Sequence, residues 1–385
     1  MHLFDTGRRL ILVITLIISS LNNYCNAQTK SSEKLTLLFI GDIMGHEQQI
    51  WSAEDRISRT YNYDSVFTYI KPAISEADIA IANFEVILAG PPYSGYPVFN
   101  SPAALALACK NAGIDCLVTA NNHSADRSTK GIKGTINRLD SLRIAHTGTF
   151  LSSGERDSLY PLIIKKNGLS IALLNYTYGT NGVEVKKPVI VNTIDKEIIA
   201  EDIAKARSKN PGIIIVFLHW GKEYSNTPMQ TQYDLSEFIF EEGADIVIGS
   251  HPHVLQKMVW IKKNQEAAKG RVAVYSLGNF VSDQRKPKTG GGAMARIEIT
   301  RENESYYISD ADYYLTWVYS PREKYRKKFY ILPCSEYENK PEFFSDQGYH
   351  LRMKRFMSES RSLLYKQNIN FYELIYNGSS WLLNF

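Results

Sequence analysis

The chain has 385 residues, of which 44% are apolar and 22% charged, and a formal net charge of +4. This is ordinary globular composition, which excludes a disordered or low-complexity chain and supplies one large core or two modest ones. The charge is weak for this length, and no nucleic-acid partner is expected.

The first segment, MHLFDTGRRLILVITLIISSLNNYCNAQTK, sets Arg8 and Arg9 before an apolar stretch from Leu10 to Leu21 and ends on Cys25-Asn26-Ala27. It reads as a secretory signal over 1–27, cut after Ala27, with export to the periplasm or cell envelope; an uncleaved membrane anchor is the alternative. Lipidation at Cys25 finds no support, because Asn23 and Tyr24 are neither small nor aliphatic. Cleavage leaves Cys109, Cys116 and Cys334, an odd and sparse set that is no disulfide framework, so Cys109 and Cys116 read as buried thiols.

Beyond the signal, strands alternate with helices. LTLLFI before Gly41 and ADIAIA before Asn83 read as buried strands. SPAALALACKNAG reads as a helix with Ser101 as N-cap, Pro102 in the first turn and Gly113 as the stop. IDCLVTA leads into NNHSAD, and GIKGTINRLDSLRI carries Ile132, Ile136, Leu139 and Leu142 at helical spacing before a short strand at HTG. The middle repeats this order: strand LSIALLNY, a helix opened by Thr193 or Asp195 and closed by Asn210-Pro211, and strand GIIIVFL ending at His219. A helix over QTQYDLSEFIFEEG then delivers the chain into ADIVIGS, and RVAVYSLGNF follows. Strands separated by helices of this length imply an α/β protein whose sheets are covered on their outer faces. No repeat, low-complexity tract or linker divides 34–300, and the Tyr- and Lys-rich residues 301–385 read as a C-terminal extension packed on that domain. The basic run Arg322, Lys324, Arg326, Lys327, Lys328 reads as a solvated strand face in preference to a polyanion patch.

The polar residues fall at the carboxyl ends of these strands: Asp42, then Asn83 and Glu85, then Asn121, Asn122 and His123, then His219, then His251 and His253. In α/β folds such ends share one edge, where residues distant in sequence converge on a ligand. Five of the eight histidines, His46 among them, lie in these turns. Several imidazoles with carboxylates and an amide, and no cysteine, suit a borderline divalent metal such as Mn, Zn, Fe or Co. Two ions are expected, bridged by a carboxylate such as Glu85 with a hydroxide between them. Taken singly, each residue has a plainer role: Asp42 as a cap, Asn121 and Asn122 as turn residues, His219 as a satisfied core histidine. No G-x-S-x-G elbow and no G-x-x-x-x-G-K-[ST] loop occurs.

GDIMGH, ANFE, ANNHSAD, HWGKEY, GADIVIGSHPHV and YSLGNF, in that order over about residues 35 to 284, closely resemble the poly-γ-glutamate capsule biosynthesis (CapA-type) family, a branch of the calcineurin-like metallophosphoesterase superfamily. The resemblance implies a metallophosphatase-like four-layer α/β/β/α sandwich of two mixed sheets. It implies that Asp42 is the first-motif aspartate and that Glu85, or Asn83, stands where the bridging carboxylate falls. Asn122 would be a ligand, His123 the general acid for the leaving oxygen, and His219, His251 and His253 the later imidazole ligands. Two departures stand out: Met44 occupies the third position of the superfamily's Asp-x-His, with His46 only later, and the second motif lacks Gly-Asp-x-x-Asp.

The function expected is a metal-dependent envelope hydrolase in which that hydroxide attacks a phosphoester, or an amide or ester of an anionic surface polymer, with Asp42, Glu85 and His123 at the chemistry. Lys222 would assist the leaving group. The alternative is a capsule assembly or export factor that holds an anionic polymer without cleaving it, beside membrane proteins of capsule synthesis. Glu223 and Tyr224 could orient an imidazole, Asn279 and Asp283 could line the pocket, and Asp126 could hold His123; turn capping explains each about as well.

Overall fold

The computed structural model describes residues 33–384, residue 304 excepted. The signal over 1–27, its cleavage after Ala27, and Cys25 therefore lie outside the described residues. In chain order the principal strands are β1 (Lys34–Ile43), β2 (Ile79–Phe84), β3 (Cys116–Val118), β4 (Ala145–Thr147), β5 (Leu162–Lys166), β6 (Leu169–Thr177), β7 (Ile213–His219) and β8 (Ile246–Ser250). They continue with β9 (Met258–Ile261), β10 (Arg271–Val274), β11 (Asn279–Val281), β12 (Gly291–Glu302), β13 (Ser305–Tyr319), β14 (Tyr330–Pro333), β15 (Tyr372–Tyr376) and β16 (Trp381–Asn384). The longer helices are α1 (Ala104–Asn111), α2 (Ser128–Ser141), α3 (Lys196–Ser208), α4 (Gln230–Glu241) and α5 (Gln347–Gln367).

These strands form two mixed sheets. The first has ten strands in the order β16-β15-β13-β12-β1-β2-β3-β4, with β11 also beside β1 and β14 beside β13. The second has six, in the order β9-β10-β8-β7-β6-β5. Parallel pairing links β1 to β4 in the first and β6, β7, β8 and β10 in the second. The two-residue period of a strand sorts its apolar residues to two faces. Leu37, Phe39, Ile81 and Val118 of the first sheet meet Leu173, Ile215, Phe217 and Ile248 of the second in a shared core. The alternate residues Leu38, Ile40, Ala82 and Leu117 face helix residues such as Leu105, Cys109 and Leu139. On the far side Leu174, Val216 and Val247 meet Ile199, Ile203, Leu235 and Ile239 of α3 and α4. The result is a four-layer α/β/β/α sandwich, and burial on both faces is why its central strands are continuous apolar runs.

Residues beyond 300 enter the first sheet as β13 to β16, and Leu315, Trp317, Met353 and Phe356 join the core between the sheets. Cys109, Cys116 and Cys334 are free and buried. None of the helices among the described residues is long and apolar enough to cross a membrane. Asp195 caps α3, accepting from the Ile198 amide, whereas α1 begins at Ala104 after Ala103 rather than at Ser101. The Ser101 hydroxyl is buried without a partner, facing the bare Cα of Gly45.

Strand β8 shows why the run toward the two histidines needs a glycine. Trp220 Nε1 donates to the Tyr275 carbonyl at 3.0 Å across Gly249. A Cβ on Gly249 would stand 2.1 Å from that oxygen and 2.4 Å from Nε1. Gly249→Ala is expected to cost about 1–3 kcal/mol by overpacking, read as a lower midpoint in denaturant unfolding; an unchanged midpoint would show that the turn relaxes freely.

Candidate metal centre

The carboxyl ends of β1, β2 and β3 in one sheet and of β7 and β8 in the other open onto a single buried site. Asn175, at the end of β6, ties the two together: its Oδ1 accepts from the Ala120 amide at 2.7 Å and its Nδ2 donates to the Phe217 carbonyl at 3.1 Å. The loop that carries Asn122 is thereby fixed to the strand that carries His219.

Asp42, Asn83, Glu85 and His219 are fully buried, and Asn122, His251 and His253 are within 3% of being so. Asn83 Nδ2 donates to Asp42 Oδ1 at 2.8 Å and to Glu85 Oε2 at 3.3 Å. Asp42 Oδ2 lies 2.9 Å from His253 Nδ1. A carboxylate accepts, so His253 carries its proton on Nδ1 and presents the Nε2 lone pair elsewhere. That lone pair faces Glu85 Oε1 at 3.7 Å, and His219 Nε2 lies at the same distance from the same oxygen. Glu85 Oε1 has no hydrogen-bond partner, nor have Asn83 Oδ1 and His251 Nδ1. Ligating atoms of Asp42, Glu85 and His219 all lie within 4.8 Å of one another.

The imidazoles are oriented from behind. His219 Nε2 meets Asn122 Oδ1 at 2.9 Å, and its Nδ1 meets the Ser250 hydroxyl at 3.0 Å. Because a hydroxyl both donates and accepts, the ring can carry its proton on Nδ1 when Nε2 is needed as a ligand. Asn122 Nδ2 donates to Asn181 Oδ1 at 3.3 Å, which turns the amide oxygen toward His219. His251 and His253 flank Pro252 with positive φ, 100° and 57°. That left-handed backbone is uncommon for residues with a Cβ and is stored where function requires it. It sets the His251 ring 4.8 Å from His219 and 6.0 Å from His253.

Burial, and then the neighbouring Asp42 carboxylate, pushes Glu85 well above its ordinary range. Burial and the adjacent imidazoles push His219 well below its own and His251 to about 3. Neutral imidazoles around a carboxylate with an unpartnered oxygen are a donor set that a divalent cation satisfies, so the residues fit a metal.

The remaining site residues are distributed around this centre. His123 Nδ1 pairs with Asp126 Oδ2 at 2.9 Å, and the same oxygen accepts from the Phe99 amide at 2.7 Å. Asn121 is spent on the turn: Nδ2 donates to the Phe84 carbonyl and Oδ1 accepts from the His123 amide. His46 Nδ1 lies 3.2 Å from both the Asp283 amide, which can donate to it, and Gln49 Oε1, which can accept from it. Burial lowers His46 to about 4. The Asp283 carboxylate is taken by Arg285 and Lys327. Asn279 donates to Gln284 and to the Thr289 carbonyl. Lys222 and Glu223 are exposed after β7, Glu223 near enough for its charge to act on Glu85.

The family described as bacterial capsule synthesis protein PGA_cap matches residues 36–284, the span that holds every candidate site residue from Asp42 to Asp283. The chain belongs to the bacterial capsule synthesis protein family. Among relatives of this PGA_cap chain, the capsule biosynthesis protein CapA of Bacillus anthracis is 30% identical over 289 residues, covering 71% of this chain and 66% of that protein. The PGA biosynthesis protein CapA of Bacillus subtilis (strain 168) is 31% identical over 284 residues, covering 71% and 70%. The chain thus spans about two thirds of the length of the curated relatives it matches. Solved structures that overlie it in part include the NAD nucleotidase of Haemophilus influenzae (TM-score 0.45, 12% identity, 86% of this chain and 67% of that one). Another is the calcineurin-like phosphoesterase YfkN of Bacillus subtilis (TM-score 0.44, 13% identity, 87% and 99%).

Within the PGA_cap chain, four residues at the centre escaped sequence reasoning. Ser250 and Asn181 orient ligands, Asn175 joins the sheets, and Tyr178 lays its ring 4.6 Å from that of His251. Ser250 stood in plain view inside Gly-Ser-His-Pro-His. Asn175 and Tyr178 end a strand that carries no histidine or carboxylate, so nothing marked them.

Proposed function

We propose that this chain is a metal-dependent hydrolase of the cell envelope, cleaving a phosphoester, or an amide or ester bond, in an anionic surface polymer of the poly-γ-glutamate kind. The observation that carries the reading is the unpartnered Glu85 oxygen set between His219 and His253, with the His123–Asp126 pair beside them. A divalent ion such as Mn, Zn, Fe or Co, held by Asp42, Glu85, Asn122, His219, His251 and His253, would supply Lewis acidity and lower the pKa of water at neutral pH. The rest falls to the chain. Asp42 fixes His253 through Nδ1, Asn83 fixes Asp42, and the buried walls keep bulk water from competing. Asp126 accepts from His123 Nδ1, so it is the doubly protonated ring that would give its Nε2 proton to the leaving oxygen, keeping the Nδ1 proton on Asp126. Lys222, exposed three residues after His219, would offset charge on the leaving group. The secretory reading of residues 1–27 supports a site for this chemistry outside the cytoplasm.

One observation favours a second reading, an assembly or export factor that holds the polymer uncut beside membrane proteins of capsule synthesis. Met44 stands where Asp-x-His would put an imidazole, so a second ion has one nitrogen ligand fewer at that position. The test is to measure bound metal and the cleavage of a generic phosphodiester and of γ-linked polyglutamate, beside the His251→Ala, His253→Ala variant. Turnover that disappears in the folded variant supports the hydrolase. Metal without turnover of any substrate supports the assembly role, and no metal under any loading condition removes both.

A further inference from the structure

A second cavity, of about 500 Å³, opens beside the metal centre and is lined from Gln284 onward, where the family match stops. Its walls are the 284–290 loop, the end of β13 and one face of α5, with Lys327 reaching in from the basic run. Trp317 and Phe356, each only 7% exposed, lie in its lining beneath a charged rim. Arg285, Lys286, Lys288, Lys327, Arg352 and Arg355 supply that rim, and Glu359 is the one carboxylate among the lining residues.

Three of these cations are uncompensated. Lys286 Nζ sits 3.6 Å over the Tyr224 ring, Lys288 Nζ donates to Asn226 Oδ1 at 2.8 Å, and the Arg352 guanidinium lies 4.4 Å over Tyr349. Among the described residues, these partners are all neutral. Arg285 and Lys327 share the single Asp283 carboxylate, and only Arg355 has an acid of its own, Glu359. With Asp283 counted, six positive charges face two negative ones. A concave surface with such a surplus focuses its field on an incoming anion.

The cavity and the centre share a wall. Lys286 covers Tyr224, whose amide donates to the Pro252 carbonyl at 2.8 Å and whose ring lies 6.1 Å from that of His253. Gln284 lines the cavity and accepts from Asn279, the residue in register with Asp42.

We propose that this cavity is a binding subsite for a linear polyanion, which lies with its apolar stretches on Trp317 and Phe356, its anionic groups on the Lys288 and Arg352 rim, and its chain running past Tyr224 toward the metal centre. A chain whose charges are spaced by methylenes or amides matches an apolar floor under a cationic rim. The path to the centre rests on the hydrolase reading; the binding itself does not.

The test is the affinity of fluorescently labelled polyglutamate, and in a second arm of labelled inorganic polyphosphate, for the full chain in the presence of a chelator at moderate salt. Lys288→Glu with Arg352→Glu, both exposed positions, is expected to weaken binding about tenfold or more. The charge-keeping pair Lys288→Arg with Arg352→Lys is expected to restore it. Lys130→Glu with Lys133→Glu, exposed on α2, is the control for bulk charge and should leave affinity within about twofold. A loss in the first variant alone supports the subsite, and the arm that shows it identifies carboxylate or phosphate as the anion read. Equal affinity of the first variant and the unaltered chain, equal losses in variant and control, or no binding of either probe overturns it. Binding that behaves as expected without turnover of any substrate leaves the subsite standing and removes the hydrolase; turnover with unaltered binding does the reverse.

Discussion

Glutamine in place of Glu85 is expected to abolish metal retention while making the metal-free protein more stable. Glu85 is fully buried, its Oε1 has no hydrogen-bond partner, and two imidazole nitrogens stand 3.7 Å away. In the metal-free protein an ionised carboxylate here is desolvated beside a second carboxylate, Asp42, and burial weighs against it more than any other influence. An amide of the same shape removes that charge, and its NH₂ can donate to the His253 Nε2 lone pair. The gain expected in chelator is about 1–3 kcal/mol, the scale of one unsatisfied buried polar group. With metal the sign reverses, because the ion stabilises only the form that binds it. Affinity should fall by more than about a hundredfold, the upper range for loss of a residue that merely orients a ligand. Unfolding midpoints of both proteins with and without metal, together with metal content, check this. The midpoints should cross: glutamine higher in chelator, glutamate higher with metal. A variant that keeps its ion, or is less stable in both conditions, would show that Glu85 is a structural acid and no ligand.

The same residue shows how far the sequence could be read. Periodicity alone located β1, β2, β7 and β8, because strands buried on both faces must be apolar throughout, and Asp42, Glu85, His219 and His251 stood out as the polar residues that end such runs. What could not be read was which atoms would be spent on one another. Asn121 looks as much like a ligand as Asn122 does, yet its amide closes the turn between Phe84 and His123 while that of Asn122 meets His219. Asp283 follows the last motif, yet two cations hold it, one of them more than forty residues away in the basic run. Such pairings depend on tertiary approach. Ser101 makes the same point for local structure: serine followed by proline reads as a helix start, and the chain instead buries the hydroxyl against Gly45 and begins α1 two residues beyond Pro102.

The chain after 300 was the least legible. Its strands alternate like those of any antiparallel pair, so the pattern could not tell whether they form a separate layer or extend an existing sheet. Register decides: β13 pairs with β12 along its length, and β12 with β1. That continuity carries α5 and the basic run to the side of the centre, where Lys327 reaches Asp283. A run that reads as a solvated face in sequence thereby contributes to a concave one.

Alanine at His123 is expected to lower turnover by about 10²–10⁴, the range for loss of a positioned general acid, while leaving metal content unchanged. The ring stands apart from the ligand network: Nδ1 is committed to Asp126, the ring edge meets Phe99 at 4.6 Å between centroids, and the side chain is 7% exposed. A proton donor matters in proportion to the basicity of the oxygen it serves. With an alkyl phosphodiester the leaving alkoxide is a strong base and the full loss should appear. With a p-nitrophenyl ester, which departs as a stable anion, the loss should shrink toward tenfold or less. Asp126→Asn, which keeps a side chain of the same shape beside the ring but replaces the carboxylate that accepts from Nδ1, should fall between wild type and His123→Ala on the alkyl substrate and near wild type on the p-nitrophenyl one. Measuring kcat for both substrates in the three proteins separates a proton donor from a packing residue. Equal losses on the two leaving groups would make His123 a residue that shapes the pocket, and the proton would then have to come from another source.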